Sequence, residues 1–243
     1  MTWIMTGTGR RIDFVSPDQS QFFMVDIGTS LSRNHRFGGH SPIKVGQHIL
    51  EVMNLMLRDA SFSSNLTEAQ RSEIALVGLL HDFPEFAICD VPTPLKRLLG
   101  DAYAEIEQRL LDAMLAKWNL AEAYERWSDL LHWADREAVQ QEAARFRLDG
   151  LYVDEFGFEE KVPNVWVPED KDINLKSDIL EEDDVYFGVR RAFAKHMVLS
   201  GRWELLGKGD QADMGNSEAE ARKLIAVHPI LAESLFTDHE GFN

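Results

Sequence analysis

Residues 81–96 read HDFPEFAICDVPTPLK, and the adjacent pair His81-Asp82 in this stretch directly follows an apolar run with helical spacing. His48 lies in another such segment about thirty residues earlier, and Asp135 lies in a third about fifty residues later. Two neutral imidazoles and two carboxylates can fix a divalent ion and still leave coordination positions for water and a substrate oxygen. These four residues are therefore candidate ligands of a metal site formed between helices.

The spacing of apolar residues predicts an all-α fold around these candidates. In the segment from 43 to 59 an apolar stripe places His48 at the edge of a buried helix face. Thr67 and Gln70 have the spacing of a capping box, so another helix is expected to begin there, and Pro84 should end it just after the dyad. Further helices are predicted over about 24–34, 101–118, 122–148 and 185–202.

Less regular structure is predicted outside these helices. Alternating apolar and polar positions indicate a small hairpin within residues 3–15. The two prolines of residues 90–99 predict a rigid non-helical loop. Prolines and an acidic run make 151–184 irregular, and the glycines and aspartates of 207–217 predict a flexible connection.

Composition and charge set the outer bounds. The chain of 243 residues is 44% hydrophobic, which suffices for a domain over 1–150 and an extension over 151–243 packed on the same domain. The absence of a membrane-spanning stretch or signal-peptide core predicts a cytoplasmic protein. Cys89 is the single cysteine, which excludes an internal disulfide. The formal net charge of -16 argues against a nucleic-acid polymer as partner, but not against a small anionic substrate. No membrane partner is expected.

The stretch HDFPEFAICDVPTPLK resembles the central signature of HD-domain nucleotide phosphohydrolases of the bacterial 5'-deoxynucleotidase-like group. The opening MTWIMTGTGRRIDFVSP, the segment RFGGHSPIKVGQH and the later ADREAVQQEA are similar to a bacterial and phage branch of that group. The resemblance covers roughly residues 1–148. It implies an HD-domain helical bundle with a small N-terminal extended segment and a partly irregular C-terminal extension.

The resemblance also implies roles for individual residues. The implied metal ligands are His48, His81, Asp82 and Asp135. Glu85 corresponds to the residue that orients or deprotonates the attacking water, and Asp90 to a second acid near the scissile phosphoester. Glu85 follows Asp82 by three residues, which places both on one side of a continuing helix.

Four further residues are implied as substrate contacts. Arg36 and Phe37 match the Arg-aromatic pair of the family, and Lys96 matches a phosphate-contacting lysine. His40, in the GGH turn, is a further candidate for the same pocket. Cations there offset charge on a phosphoryl group, and an aromatic ring can pack on a sugar or base.

Structural readings compete with these roles. His48 alone would be read as a core histidine, and His81-Asp82 as a hydrogen-bonded pair. Arg36 and Lys96 could be ion-pair partners in so acidic a chain. The joint occurrence of these residues with Glu85 and Asp135 favours the metal site. Cys89 stands where the family usually has glycine, so a positive φ there would strain the backbone.

The expected function is hydrolysis of phosphate from nucleotides, chiefly deoxynucleoside 5'-monophosphates, by attack of a metal-bound water. One ion is expected, with Mn²⁺, Co²⁺ or Mg²⁺ as occupant, although the ligand types also suit Fe²⁺, Zn²⁺ or Ni²⁺. The alternatives are a (deoxy)nucleoside triphosphate triphosphohydrolase and a non-catalytic nucleotide-binding HD module. The expected partner is a small-molecule nucleotide, and related proteins are often homodimers.

Overall fold

The computed structural model describes residues 1–59, 65–145, 181–215 and 217–227. Most of these residues are helical and only two short strands occur among them, which confirms the all-α fold class. The strands are β1 (Trp3–Met5) and β2 (Arg11–Asp13). The helices are α1 (Met24–Leu31), α2 (Val45–Arg58), α3 (Glu68–Leu80), α4 (Glu85–Ile88), α5 (Thr93–Leu99), α6 (Asp101–Lys117), α7 (Ala121–Arg126), α8 (Ser128–Arg145), α9 (Glu182–Leu199), α10 (Lys208–Asp213) and α11 (Glu218–Val227).

Local sequence signals set several of these elements. Strand β1 pairs antiparallel with β2, with Ile4 opposite Ile12, which confirms the predicted hairpin. Helix α3 begins after Thr67, whose side chain accepts from the Gln70 N–H while the Gln70 side chain accepts from the Thr67 N–H. This capping box is the one that the sequence predicts.

Helix α2 is the centre of the bundle. It packs against α3 along its length, and α8 and α9 contact it on other sides. Gly78 of α3 lies against the backbone of Met53 in α2. Because α2 contacts both α3 and α8, residues far apart in sequence are brought together around it.

Helix α9 belongs to the same hydrophobic core. Its residue Phe193 packs against Trp118 with ring centroids 4.9 Å apart, and against Phe83 at 5.9 Å. Phe83 directly follows the His81-Asp82 pair, so the far end of the chain supports the turn that carries the dyad. The predicted boundary at residue 150 falls outside the described residues.

Two segments differ from the sequence-based prediction. Residues 90–99 contain helix α5 rather than a loop throughout, because Pro94 stands in the first turn, where a helix needs no N–H from it. Residues 207–217 contain helix α10, which an ion pair of 2.9 Å between Asp210 and Arg190 ties to α9. Such tertiary contacts override the weak local preference for helix.

One further boundary was refined by the structure, and one predicted segment lies mostly outside the described residues. The predicted helix over 122–148 is divided at Trp127 into α7 and α8. Most of the segment 151–184, predicted to be irregular, lies outside the described residues. Within the described ranges, no helix has the length and apolar character needed to cross a bilayer.

The tight contact at Gly78 gives a stability prediction. A Cβ there would lie 2.8 Å from the Met53 Cα and 3.0 Å from the Met56 Sδ. We expect Gly78→Ala to force α2 and α3 apart and to lower the free energy of unfolding by about 1–3 kcal/mol in urea titrations. Gly209→Ala is the control, since a Cβ at that position in α10 meets nothing within 4 Å. Equal stabilities of the two variants would contradict the prediction.

A second prediction concerns acid stability. His196 of α9 is buried, its Nδ1 lies 3.3 Å from the Ser72 Oγ, and burial together with Lys195 lowers its pKa from 6.5 to about 3. Below pH 6.5 the His196 imidazole is therefore protonated in the unfolded chain but stays neutral in the folded chain. Stability falls as the pH is lowered from 6.5 to about 3. The loss is up to about 1.4 kcal/mol per pH unit.

The measurement compares urea unfolding of the wild type with that of His196→Gln between pH 4 and 8. The glutamine stays neutral, so the variant should show a flatter dependence of stability on pH. Parallel curves for the two proteins would refute the assignment.

Candidate metal centre

Three helices bring the four candidate ligands together. His48 lies within α2, His81 and Asp82 follow α3, and Asp135 lies on α8. The His48 Nε2 is 3.3 Å from the His81 Nε2 and 3.1 Å from the Asp135 Oδ1. The Asp82 Oδ2 is 3.3 Å from the His81 Nε2 and 3.5 Å from the His48 Nε2. The structure thus places all four residues at one point, as the sequence predicts.

One ligand atom each from His48, His81 and Asp82 lies within 4.8 Å of the other two, a group that could hold a metal ion. The His81 Nδ1 lies 2.7 Å from the Gly78 carbonyl. A carbonyl only accepts, so Nδ1 carries the proton and the Nε2 lone pair faces the other ligands. Asp135 on α8 lies beside this group, and its side chain is 43% exposed.

The second nitrogen of His48 contacts Glu142, a residue that the sequence reasoning missed. The His48 Nδ1 lies 2.9 Å from the Glu142 Oε1, and the Arg36 Nε donates to the Glu142 Oε2 at 2.9 Å. Glu142 is completely buried. A signal was present, because Glu142 follows Asp135 by seven residues, or about two helical turns, and so shares its helix face.

The charges at this centre shift the pKa values of its residues. Burial and Arg36 oppose the charged form of His48, but Glu142 and Asp135 raise its pKa to about 10. Burial opposes ionisation of Asp82 and Asp135 as well, yet the neighbouring histidines hold both carboxyl pKa values below the usual range. Both aspartates are therefore anionic at neutral pH. A metal ion would replace the proton of His48.

A cavity of about 150 Å³ opens beside this centre. Its wall includes Asp82 and Asp135. It also includes the predicted catalytic pair, Glu85 and Asp90, and three of the predicted substrate contacts, Arg36, Phe37 and Lys96. His40 is exposed and does not line the cavity, so its prediction as a substrate contact gains no support. Among the described lining residues, four carboxyl groups face two cationic side chains, an imbalance that a bound cation would offset.

Glu85 is placed by backbone contacts of the short helix α4. Asn34 donates to the Glu85 carbonyl at 3.0 Å, and Ser30 donates to the Phe86 carbonyl at 2.7 Å. The Glu85 Oε1 accepts from Lys96 at 3.3 Å, whereas its buried Oε2 has no hydrogen-bond partner in the described part of the chain. Burial, Asp82 and Asp90 raise the pKa of Glu85 well above its usual value.

The two cations of the cavity have acidic partners of their own. Lys96 contacts Glu107 at 2.8 Å as well as Glu85, and these partners raise the pKa of Lys96 against the effect of burial. Arg36 lies at the base of a loop closed by a bridge between His35 and Lys44. The cations are thereby fixed in the cavity wall before any ligand arrives.

Two uncharacterized proteins are similar to part of this chain. An uncharacterized protein of Rhodobacter capsulatus is 30% identical over 122 residues, which are 49% of this chain and 59% of the relative. The uncharacterized protein YfdR of Escherichia coli strain K12 is 29% identical over 122 residues, or 49% of this chain and 60% of the relative. The chain thus spans about three fifths of the length of these curated relatives. No family model matches the chain.

The backbone at Cys89 supplies a prediction. Its φ of 62° and ψ of 167° lie in a region that glycine alone adopts readily, directly before Asp90 of the cavity wall. Relief of this strain exceeds the entropy that glycine adds to the unfolded chain, so we expect Cys89→Gly to raise the free energy of unfolding by about 1 kcal/mol.

Urea unfolding of Cys89→Gly beside Cys89→Ala makes the comparison. The alanine keeps the Cβ and hence the strain, so it should give no gain. An equal gain in both variants would show that the thiol, rather than the backbone conformation, is the source of the effect.

Proposed function

We propose that this protein is a metal-dependent phosphohydrolase of the HD type that removes phosphate from nucleotides, chiefly deoxynucleoside 5'-monophosphates. One observation carries the proposal. The group of His48, His81 and Asp82 that could hold a metal ion borders a cavity that also contains a buried carboxyl group, Glu85, and two cations. Metal, proton-transfer group and phosphate-binding charges are the parts that hydrolysis of a phosphate ester requires.

The metal ion would supply Lewis-acid polarisation of the phosphate and a lowered pKa of nearby water. His48, His81, Asp82 and Asp135 would hold it. Mn²⁺, Co²⁺ and Mg²⁺ are the proposed occupants, and this nitrogen and oxygen ligand set also suits Fe²⁺, Zn²⁺ or Ni²⁺.

The remaining residues would bind substrate and move protons. Arg36 and Lys96 offset the charge of the phosphoryl group, and Phe37 packs on the sugar or base. Glu85 accepts a proton from the attacking water, since its raised pKa makes it a better base than an ordinary carboxylate. Asp90, the second acid near the scissile phosphoester, would pass this proton from Glu85 to the departing nucleoside oxygen. The products are a nucleoside and inorganic phosphate.

The charge of the cavity favours a monophosphate. The cavity has a volume of about 150 Å³, and two cationic side chains line it in the described part of the chain. One phosphate group suits two cations, whereas a triphosphate would bring more negative charge past Asp90. The triphosphohydrolase remains the alternative enzyme, and a non-catalytic nucleotide-binding module is the alternative from another class. A binding module would not need Glu85 buried beside the metal group.

Phosphate release from a panel of deoxy- and ribonucleoside mono- and triphosphates, with Mn²⁺, Co²⁺ or Mg²⁺, tests the proposal. We expect orthophosphate from the deoxynucleoside monophosphates. Asp82→Ala should abolish it through loss of a metal ligand, and Glu85→Gln should lower kcat about 10²–10⁴-fold through loss of proton transfer.

Asp112→Ala is the matched control, because Asp112 is exposed on α6 and contacts Gln108. This variant should retain wild-type activity. Release of tripolyphosphate from triphosphates would replace the proposal with the alternative enzyme. An inactive wild type that still binds metal would refute catalysis and favour the binding module.

A further inference from the structure

Both carboxylate oxygens of Glu142 have a partner at the candidate metal centre or in the adjoining cavity wall. Oε1 faces the His48 Nδ1 and Oε2 accepts from the Arg36 Nε, each at 2.9 Å. His48 and Glu142 are completely buried, and Arg36 is 8% exposed. One side chain on α8 therefore contacts a candidate metal ligand on α2 and a cation of the cavity wall.

The chemistry of imidazole gives this contact a consequence for metal binding. The His48 Nε2 faces His81, Asp82 and Asp135, so it is the nitrogen that would bind a metal ion. Binding through Nε2 requires the ring proton to sit on Nδ1. A carboxylate oxygen only accepts, so an ionised Glu142 opposite Nδ1 favours that tautomer and fixes the ring plane.

We infer that Glu142 is a positioning residue, which holds His48 in the Nδ1–H tautomer for metal binding and with the same carboxylate anchors Arg36 in the cavity wall. The inference rests on the metal site of the proposed function and not on the hydrolysis of any nucleotide.

The anchoring of Arg36 follows from the direction of the hydrogen bond. With its Nε committed to Glu142, the guanidinium can offer only its two terminal nitrogens to a ligand. The Nη1 already lies 3.5 Å from the Asp82 Oδ2, at the border of the metal group. Glu142 thereby fixes the distance between the metal ligands and the arginine that faces the phosphate.

A purely structural role is the competing explanation. A buried ion pair between Arg36 and Glu142 could serve only to hold α8 near the loop before α2. Removal of the pair would then lower stability, since a buried charge loses its partner. The variant protein that remains folded would keep the wild-type tautomer of His48 and the wild-type affinity for metal.

Glu142→Gln separates the two explanations. Arginine only donates, so the amide oxygen of the new side chain should face Arg36 and its NH₂ group should face His48. The His48 Nδ1 must then accept, and the ring proton moves to Nε2, the atom that would bind the metal. We expect the affinity for Zn²⁺, measured by calorimetry on the full chain, to fall about 10–100-fold.

Nitrogen-15 NMR supplies the spectroscopic signature. The metal-free variant, at a pH where the ring is neutral, should show His48 protonated on Nε2. Zn²⁺-loaded wild type should show the proton on Nδ1, protected from exchange, with Nε2 coordinated. Glu137→Gln is the matched control, because Glu137 lies on the same helix and accepts from Gln141 at the surface. It should keep the wild-type affinity for Zn²⁺ and the wild-type spectrum.

Weaker Zn²⁺ binding with an Nε2–H tautomer in a folded Glu142→Gln protein supports the inference, and an unchanged affinity or a persistent Nδ1–H tautomer overturns it. If that variant does not fold, the Zn²⁺-loaded wild type decides, because coordination through Nδ1 or an unprotected Nδ1–H overturns the inference. Normal Zn²⁺ binding without nucleotide hydrolysis would refute the proposed function alone.

Discussion

A fully buried histidine in the first turn of α2 is the constraint on which the rest of this structure depends. His48 has no access to water, so both ring nitrogens need protein or metal partners. Glu142 and Asp135 on α8 lie beside the two nitrogens, at 2.9 and 3.1 Å. The contacts that hold α8 against α2 are therefore also contacts of the candidate metal centre.

The same constraint explains the distribution of charge around the cavity. Several carboxyl groups converge where α2, α3 and α8 meet, and the cations Arg36 and Lys96 are already paired with Glu142 and Glu107. Burial, together with repulsion from Asp82 and Asp90, raises the pKa of Glu85. A site with excess negative charge and converging imidazole nitrogens is suited to a divalent ion, which connects the electrostatics of the fold with the proposed chemistry.

Local sequence patterns predicted the presence of a helix better than the residues at which it begins and ends. The capping box at Thr67 and the stripe beside His48 located α3 and α2, since both depend on neighbours within one or two turns. Helices α5 and α10 were missed because Pro94 and Gly209 were read as breakers. A proline in a first turn costs little, and α10 depends on the contact of Asp210 with Arg190, residues too far apart for local reasoning.

By itself, the sequence determined the helical class, the hairpin, and the identity of the four residues that meet at the candidate metal centre. The helical class and the hairpin follow from periodicity, which can be read along the chain, and the four residues follow from the resemblance of residues 81–96 to a family signature. Only the tertiary structure decided that Glu142 contacts His48 and Arg36 at once, that His40 lies outside the cavity, and that Cys89 has a positive φ. The orientation of a side chain across a helix junction depends on the packing angle of the helices, which no local pattern contains.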